Sequence, residues 1–372
     1  MADVDGRNEA GRVLTMRLIR KGTATSIAAV GILFLAQNTA FAWGDDPGGE
    51  GSHTGGNSDS QGNVSASATH SQIRISYPKG GGGSGKTGDL STIDPNWKPP
   101  ACWYEPVFTP EGLKNFVKSS GGDGDVGIHQ SWFGTGLWTD HYRDGKPEDN
   151  MDDAWTSAPG YKNYNQGKKG YFWRSVAPDA SDPDSWQCGR IMFWQPAGQV
   201  PKIPHAPTPK MLAEYAYNKV KVPETKIELK PQTKSTVNLP TWVWLDKGTF
   251  KDVVVRAELP NTGLWAETTA KPVSLHLDPG TDDADTFPAS GTCDFNQDGS
   301  IGTPYKAGDA SQNPPCGINY LHATDGNPYQ LKASITWKIT WNGTGGAGGD
   351  LPDGTFQTTQ DMNVQEIQTI NR

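Results

Sequence analysis

The 372-residue sequence lacks the features that mark several large classes of protein. Charged residues account for 20% of the chain and the formal net charge is −8, and no basic patch of the kind that binds nucleic-acid phosphates is present. The seven histidines have no zinc-ligand spacing, and the sequence contains neither His-Glu-x-x-His nor Gly-x-Ser-x-Gly. We therefore expect no nucleic-acid partner, no zinc site and no serine-hydrolase nucleophile.

Long apolar runs are also missing, except for one of about ten residues at positions 27–36. Basic residues precede that run and the small-residue pattern Ala40-Phe41-Ala42 follows it, which is the order of a secretory signal peptide. A run this short does not span a bilayer comfortably. We predict a signal peptide over residues 1–42, with translation starting at Met1 or Met16. The mature chain is then secreted or loosely held at the cell surface, without a membrane span.

Cysteine is scarce as well, because only Cys102, Cys188, Cys293 and Cys316 occur. In an exported chain four cysteines predict two disulfides, and three pairings are possible. Proximity in the sequence favours Cys102–Cys188 and Cys293–Cys316, one disulfide in each of two domains. On the chain-entropy model, closing the shorter loop stabilises the fold by roughly 3 kcal/mol.

The residue types that are abundant point to β-structure. The chain contains 14 Trp, 45 Gly and 28 Pro, a combination of aromatic and turn-forming residues that favours strands over helical bundles. Residues 331–341 alternate strictly between apolar and polar side chains, which predicts a strand with one buried face. Further strands are predicted at 251–259, 264–270, 273–277, 355–362 and 364–370. Turn residues separate these strands, and the spacing predicts an antiparallel sandwich.

The predicted organisation has five parts. They are a signal peptide (1–42), a disordered Gly/Ser-rich linker (43–100), an aromatic-rich, disulfide-stapled domain (101–205), a connector (206–236) and a β-sandwich (237–372). Within the linker, residues 72–77 have the character of one short strand. Capping residues and first-turn prolines predict short helices at 110–118 and 209–218, and the connector adds a strand at 225–229. The predicted fold class is therefore mostly β, with an aromatic-rich α+β unit before an antiparallel sandwich.

Thirteen aromatic residues crowd the stretch from Trp132 to Trp194. Such rings stack on sugars, but they also form the core of a domain that is poor in Leu, Ile and Val, and we favour the core interpretation. A glycosidase would need two carboxylates facing one bond, and the available acidic clusters are Asp140-His141, Glu148-Asp149 and Asp152-Asp153. Nothing in the sequence makes these carboxylates face each other, so we predict no catalytic residues.

Residues 80–87 match the letters of a phosphate-binding loop, with Gly80, Gly85, Lys86 and Thr87 at the required spacing. Taken literally, the match predicts ATP or GTP binding. That chemistry requires the loop to open a helix whose backbone N–H groups bind phosphate, and the residues that follow contain prolines and no amphipathic pattern. We therefore interpret the stretch as a glycine-rich loop and keep nucleotide binding as a remote alternative.

Asp294, Asn296 and Asp298 occupy the first three ligand positions of a calcium loop, and Gly299 follows at the sixth position. The position of the bidentate Glu is taken by Tyr305, and the loop lies between cysteines rather than helices. We expect no cofactor, with a weak calcium site at this turn as the alternative.

The last third of the chain carries a family resemblance. In order along the chain occur Val237-Asn-Leu-Pro-Thr-Trp-Val-Trp-Leu245, Pro272-Val-Ser274, Gly302-Thr-Pro-Tyr305, Cys316-Gly-Ile-Asn-Tyr320 and Ile335-Thr-Trp-Lys-Ile-Thr-Trp341. These segments resemble exported actinobacterial (Streptomyces-type) proteins whose C-terminal part is similar to PKD-type, immunoglobulin-like domains. The resemblance covers residues 205–372, and more loosely the sequence from Cys102-Trp103-Tyr104 onward. At the turn where PKD domains have a Trp-x-Phe-Gly-Asp-Gly-like sequence, residues 276–282 keep Asp and Gly but lack the aromatics.

The resemblance implies a surface or extracellular binding and spacing module, with no catalytic residues to carry over. We therefore predict a secreted, non-catalytic binding or scaffold protein that acts at the cell surface or in the extracellular medium. Its expected partner is an extracellular protein or a cell-wall glycan. The alternative is an extracellular carbohydrate-binding or carbohydrate-active protein that uses residues 101–205.

Overall fold

The computed structural model describes residues 57–58, 64–65, 71–80, 86–119, 137–149, 156–179, 181–224, 226–232, 234–245 and 250–367. All of them belong to one compact unit, Ala40–Arg372. The predicted signal peptide, residues 81–85 of the glycine-rich loop and Asp152-Asp153 lie outside the described residues.

The described residues form 22 strands, two α-helices and five short helical turns. In chain order the strands are β1 (Asn57–Ser58), β2 (Val64–Ser65), β3 (Arg74–Lys79), β4 (Thr87–Asp89), β5 (Ser91–Thr92), β6 (Trp103–Phe108), β7 (Glu148–Asp149), β8 (Ser157–Ala158), β9 (Gly170–Val176), β10 (Phe193–Pro196), β11 (Lys221–Pro223), β12 (Glu228–Lys230), β13 (Lys234–Thr236), β14 (Thr241–Leu245), β15 (Val253–Leu259), β16 (Leu264–Asp278), β17 (Ala284–Phe287), β18 (Thr292–Asp294), β19 (Ile301–Gly302), β20 (Gly317–Tyr320), β21 (Tyr329–Gly343) and β22 (Ala347–Gln365). The helices are α1 (Pro110–Ser119) and α2 (Pro209–Tyr217), and the turns are Leu137–His141, Asn163–Asn165, Pro183–Cys188, Asp309–Ser311 and Thr344–Gly346. The predicted mostly-β fold class is confirmed.

The largest sheet has eight strands and is built on three long ones. Its strand order is β13-β22-β21-β16-β15-β3, with β18 also paired to β16 and β5 to β22. The pairs are antiparallel except for β13 with β22. Strands β16, β21 and β22 contain 15, 15 and 19 residues, so each extends well beyond its shorter neighbours.

Strand β21 shows the predicted alternation of buried and solvent-facing side chains. Leu331, Ala333, Ile335, Trp337 and Ile339 have at most 1% of their surface exposed. The polar side chains between them are half-buried or exposed. Because side chains of a strand point to alternate faces, this row marks the covered face of the large sheet. The strand prediction for residues 331–341 is confirmed.

A smaller sheet lies against part of that covered face. Its strand order is β12-β14-β20-β17, with β19 also paired to β14. Its buried residues, such as Val243 and Ile318, belong to the same hydrophobic core as those of β21. Cys293 on β18 and Cys316 beside β20 form a disulfide, which is one of the two favoured pairs and joins the two sheets covalently. Two antiparallel sheets therefore share one core in this part of the chain.

Helix α2 also contributes to the core, and it begins where the sequence predicted. The Thr208 hydroxyl accepts a hydrogen bond from the Met211 N–H (3.1 Å) and so caps the first turn. Thr268 on β16 donates a hydrogen bond to the Ala213 carbonyl (2.8 Å), which fixes the helix on the large sheet. The helix residues predicted to share one face are all buried: Met211, Leu212, Tyr215 and Ala216. The predicted connector strand is β12, Glu228–Lys230, shorter than expected.

Two pairs of predicted strands are each one continuous strand. Strand β16 runs through Pro272, with a shift in register against β21 between Pro272 and Ser274. Along the other edge of β16, pairing with β15 ends at Ala270 and pairing with β18 begins at Ser274. Pro272 lies in the gap between these two neighbours, so no backbone N–H donor is required from it on that edge. Strand β22 likewise joins the strands predicted at 355–362 and 364–370 and ends at Gln365.

The predicted linker takes part in the sheets from Ser71 onward. Strand β3 pairs with β15 at the edge of the large sheet, and Ile73 and Ile75 are buried there. Strand β4 pairs with β11, and β5 pairs with β22. The physical reason is the alternation of Ile73, Ile75 and Tyr77 with polar residues, which gives this short segment an apolar face. The linker interpretation of residues 43–100 is therefore wrong for the part of that range from Ser71 that the structure describes.

The aromatic-rich region contains a three-stranded sheet of order β10-β9-β6, with helix α1 packed near it. Cys102 and Cys188 form the other favoured disulfide beside this sheet. The ring of Trp103 on β6 meets the ring of Tyr215 on α2 edge to face, with 5.3 Å between centroids. Residues on both sides of the expected boundary near position 205 are therefore in direct contact, and the domain boundaries stay a prediction.

Candidate functional site

A cleft of about 380 Å³ opens where the segment 86–100 passes the end of helix α2. The residues that line it come from β4, β5, the loop after β5 and the chain between α2 and β11. They are Asp89, Leu90, Thr92, Trp97, Pro99, Tyr217, Asn218 and Val220. The cleft thus combines aromatic, aliphatic and polar side chains within one concave surface, which is the usual composition of a small-molecule site.

Two glycines allow the chain to lie close enough to form this cleft. A Cβ atom at Gly88 on β4 would overlap the ring of Phe356 on β22. A Cβ atom at Gly354 would lie 2.8 Å from the Tyr217 hydroxyl oxygen, closer than side chains normally approach. The backbone of β4, which pairs with β11 in a separate two-stranded sheet, thereby lies against β22 of the large sheet.

An aromatic pair forms one side of the cleft. The Trp97 and Tyr217 rings have centroids 4.8 Å apart and are tilted by 38°. Tyr217 is buried with 4% of its surface exposed, whereas Trp97 is half-buried. Burial raises the pKa of Tyr217 to about 12, an increase that the neighbouring Thr92 hydroxyl opposes, so the phenol is neutral at physiological pH. Trp97 is the ring of this uncharged pair that is accessible, and the buried Tyr217 ring packs against it.

Polar groups stand at the rim of the cleft. Asp89 forms an ion pair with Lys221, and both side chains are largely in water, with 70% and 45% of their surface exposed. Asn218 is exposed at the C-cap of α2, and its side-chain amide forms no hydrogen bond within the part of the chain that the structure describes. The Trp97 indole N–H is likewise without a hydrogen-bond acceptor among the described residues. The rim therefore offers donors and acceptors for a polar ligand.

The residues of the phosphate-loop pattern do not have the expected helical setting. Gly80 has a positive φ of 81° and ends the segment described there, and Gly85 lies outside the described residues. Lys86 is exposed and its carbonyl accepts a hydrogen bond from the Glu224 N–H (3.0 Å). Thr87 begins strand β4, whereas a phosphate-binding loop begins a helix at this point. This local structure favours the interpretation as a glycine-rich loop.

Lys86 also lines a second cleft of about 380 Å³. The charged side chains there are Lys86, Lys226 and Glu224, and the wall is formed by residues of β21 and β22. All three charged residues are exposed. The cleft gives no further support for nucleotide binding.

The predicted calcium turn lies between β18 and β19 and is closed by its own hydrogen bonds. The Asn296 amide N–H group donates to the Ser300 hydroxyl (2.9 Å) and to the Gly302 carbonyl (3.0 Å). The Ser300 hydroxyl donates to an Asp298 carboxylate oxygen (2.6 Å). Asp294 is exposed at the end of β18. These contacts account for the sequence of the turn, and the calcium site stays a prediction.

A grouping of three side chains with metal-ligand atoms within 4.8 Å of one another occurs, among the described residues, at Cys102, Cys188 and His205. The two cysteines are joined in a disulfide, so their sulfurs do not serve as thiolate ligands. This grouping is therefore a disulfide with a neighbouring histidine rather than a metal centre.

The acidic cluster around Asp140 and His141 is held by local partners. Asp140 pairs with Lys146 (2.8 Å) and Asp144 with Arg143 (2.8 Å). His141 is fully buried, and burial lowers its pKa. The neutral imidazole donates from Nδ1 to the Lys146 carbonyl (2.9 Å), and its ring contacts two tyrosine rings edge to face. Asp140, Asp144 and His141 are therefore engaged in contacts that hold the loop.

The aromatic side chains of residues 101–205 form core rather than surface. Trp103, Tyr104, Tyr142, Phe172 and Trp173 have at most 2% of their surface exposed. None of the aromatic side chains that the structure describes is exposed. The exposed large apolar side chains of the described residues lie outside 101–205 and are Ile93, Leu321 and Ile367. The core interpretation is confirmed for the rings that are described.

Glu105 is completely buried on β6 and is not among the site residues predicted from the sequence. Its carboxylate accepts hydrogen bonds from the Ser71 hydroxyl (2.6 Å), the Trp103 indole N–H (2.6 Å) and the Gln72 backbone N–H. Burial raises its pKa, while these hydrogen bonds and the charge of Arg174 oppose the increase. The signal that could have identified it is a single glutamate within the otherwise apolar run Trp103-Tyr-Glu-Pro-Val-Phe108.

The sequence does not indicate the cleft, because Trp97 falls within the range predicted as a linker. Comparison with protein-family models, with curated proteins and with solved structures found no match to this chain. Within the part of the chain that the structure describes, no helix has the length and apolar character needed to cross a membrane.

Proposed function

We propose that this protein is an exported, non-catalytic binding protein of the cell surface or extracellular medium. The observation that carries the proposal is the cleft at Trp97 and Tyr217, held on a framework with two disulfides. Disulfides persist in oxidising compartments, which supports export. The signal peptide at residues 1–42 and the PKD-like, immunoglobulin-like identity of the C-terminal sandwich are parts of the same proposal.

The contacts that the ionisable side chains make favour binding without catalysis. Asp140, Asp144 and His141 are each engaged by a neighbour within the same loop, so their positions serve the fold. The cleft offers Asp89, already paired with Lys221, and neutral polar groups. General acid–base chemistry would need a carboxyl or imidazole aimed at a reacting atom.

The export part of the proposal is tested on chain secreted by a host with a general secretory pathway. We expect the protein in the medium to begin at Trp43 and to contain no thiol that reacts with a thiol reagent before reduction. Recovery of the chain inside the cell, uncleaved and with reactive thiols, would contradict export.

The non-catalytic part is tested by incubating the full mature chain with a panel of polysaccharides and measuring released reducing ends. We expect no release above the level of heat-inactivated protein. Release that disappears in the Asp140→Asn or Glu148→Gln variant would instead establish the alternative, a carbohydrate-active enzyme that uses the aromatic-rich region.

A further inference from the structure

We propose that the cleft binds one hexopyranose unit, either free or at the end of a glycan. This inference rests on the proposed binding function and names the class of its ligand. It follows from the combination of groups that line the cleft, taken together with their charge and the size of the space.

The charge of the cleft favours a neutral ligand. Among the lining residues only Asp89 is ionised, and its charge is opposed by the ion pair with Lys221. An anion such as phosphate would meet the Asp89 carboxylate at the rim, and a cation would have to displace Lys221. A ligand without charge encounters neither cost.

The lining suits a molecule with one apolar face and a polar edge. Trp97 supplies ring surface and is packed against the buried Tyr217 ring, and Leu90 and Pro99 extend the apolar wall. A pyranose ring has C–H groups on its faces and hydroxyl groups around its edge. The C–H face can therefore lie against the Trp97 ring and the apolar wall while the hydroxyl groups point to the rim.

The rim groups can both donate hydrogen bonds to sugar hydroxyl groups and accept hydrogen bonds from them. The Trp97 indole N–H can donate, the Asn218 amide can donate and accept, and the Asp89 carboxylate can accept. The side chains of Trp97 and Asn218 form no hydrogen bond among the described residues, so a ligand does not have to break one. Hydrogen bonds from hydroxyl groups to a carboxylate are also stronger than those between neutral groups.

The size of the cleft limits the ligand to about one sugar unit. Its volume of about 380 Å³ lies at the lower end of the range for small-molecule sites. Asp89 and Asn218 are exposed at its rim, so the following units of a glycan would extend into solvent. The site therefore fits a terminal sugar.

The test is isothermal titration of the full mature chain with the methyl pyranosides of glucose, galactose, mannose and N-acetylglucosamine. We expect at least one of them to bind. Asn218→Ala and Trp97→Phe should each weaken that binding about tenfold, equivalent to about 1.4 kcal/mol. Asn342→Ala is the matched control, because Asn342 is exposed on β21 and does not line the cleft. Melting temperatures of the three variants should stay close to that of the wild type.

Two results would overturn the inference. One is the absence of binding to all four pyranosides, and the other is binding that neither cleft variant weakens. Inorganic phosphate is titrated as well, and binding of phosphate that Asn218→Ala weakens would show a different ligand class. These outcomes would exclude a sugar as the ligand of the cleft, whereas export and the absence of catalysis are tested separately, by intracellular recovery and by release of reducing ends.

Discussion

Glu105 joins two separate segments of the chain through one carboxylate. Its hydrogen-bond donors come from Ser71 and Gln72, which precede β3, and from Trp103 on its own strand. A buried carboxylate is tolerated only with such partners, since an isolated charge in the core is costly. The residue therefore couples the N-terminal edge of the large sheet to the aromatic-rich region.

We expect Glu105→Ala to destabilise the full chain by about 3 kcal/mol, because it leaves the buried Trp103 indole N–H and the partly buried donors of Ser71 and Gln72 without their acceptor. The raised pKa means that the folded protein binds a proton in a range where the unfolded chain does not. The stability that Glu105 contributes therefore rises as the pH falls towards its ordinary pKa of 4.5, and the cost of the substitution rises with it.

Urea denaturation of wild type and variant at several pH values between 4.5 and 7 measures this cost. The control is Glu366→Ala, since Glu366 is exposed near the end of the described chain and its removal should change the unfolding free energy by no more than about half a kcal/mol. A cost that grows with rising pH would contradict the assignment.

Trp337 and Lys338 are neighbours on β21 with opposite surroundings. Trp337 is fully buried and Lys338 is exposed. Trp337→Ala should cost about 3–5 kcal/mol of unfolding free energy, and Lys338→Ala no more than about half a kcal/mol. Both are measured by urea melts of the full chain, because helix α2 and β3 complete the core and a fragment from residue 237 would lack them. Equal, small effects would show that the row on β21 is not a buried face.

At the scale of elements, the strands were more predictable than their lengths and neighbours. The period-two pattern of 331–341 identified β21 because half of its side chains are buried by other layers. The sequence predicts two strands in place of the continuous β16, because Pro272 interrupts the strand pattern. A proline is tolerated inside β16 because β15 ends before it and β18 begins after it, and the sequence does not show which strands are neighbours. The sequence predicts a linker over segment 86–100 because strands of two or three residues, such as β4 and β5, have too few side chains to show the period-two alternation of a strand.

Substitutions on strand β3 test whether this segment belongs to the folded core or to a linker. Ile75→Ala should destabilise the full chain by about 2–4 kcal/mol, since Ile75 is buried in the main core, and Arg74→Ala on the exposed face is the control. Both are measured by chemical denaturation. A cost for Ile75→Ala no larger than that of the control would restore the linker interpretation.

Strand β4 argues against a phosphate-binding helix after Lys86. We expect ATP and GTP to leave the melting temperature of the wild type unchanged and Lys86→Ala to behave identically, because the described chain continues from Thr87 as a strand rather than as a helix. A nucleotide-dependent increase in melting temperature that Lys86→Ala abolishes would contradict this expectation.

At the scale of the whole molecule, the candidate site arises from the way distant segments meet. Trp97 lies before the aromatic-rich region, while Tyr217 and Asn218 lie after it, and β22 beneath them is nearly at the end of the chain. No local pattern brings these residues together, so the cleft was not predictable from sequence. The disulfide pairs were predictable, because sequence proximity and the expected compartment limited the choice.

The central claim is binding without catalysis at the Trp97–Tyr217 cleft. The most direct measurement is proton NMR of a methyl pyranoside mixed with the full mature chain, which reports binding by saturation transfer and reports bond cleavage by the integrals of the anomeric signals. We expect saturation transfer that Asn218→Ala reduces, with unchanged integrals over a day. Conversion of the glycoside, or saturation transfer that is the same in wild type and Asn218→Ala, would contradict the claim.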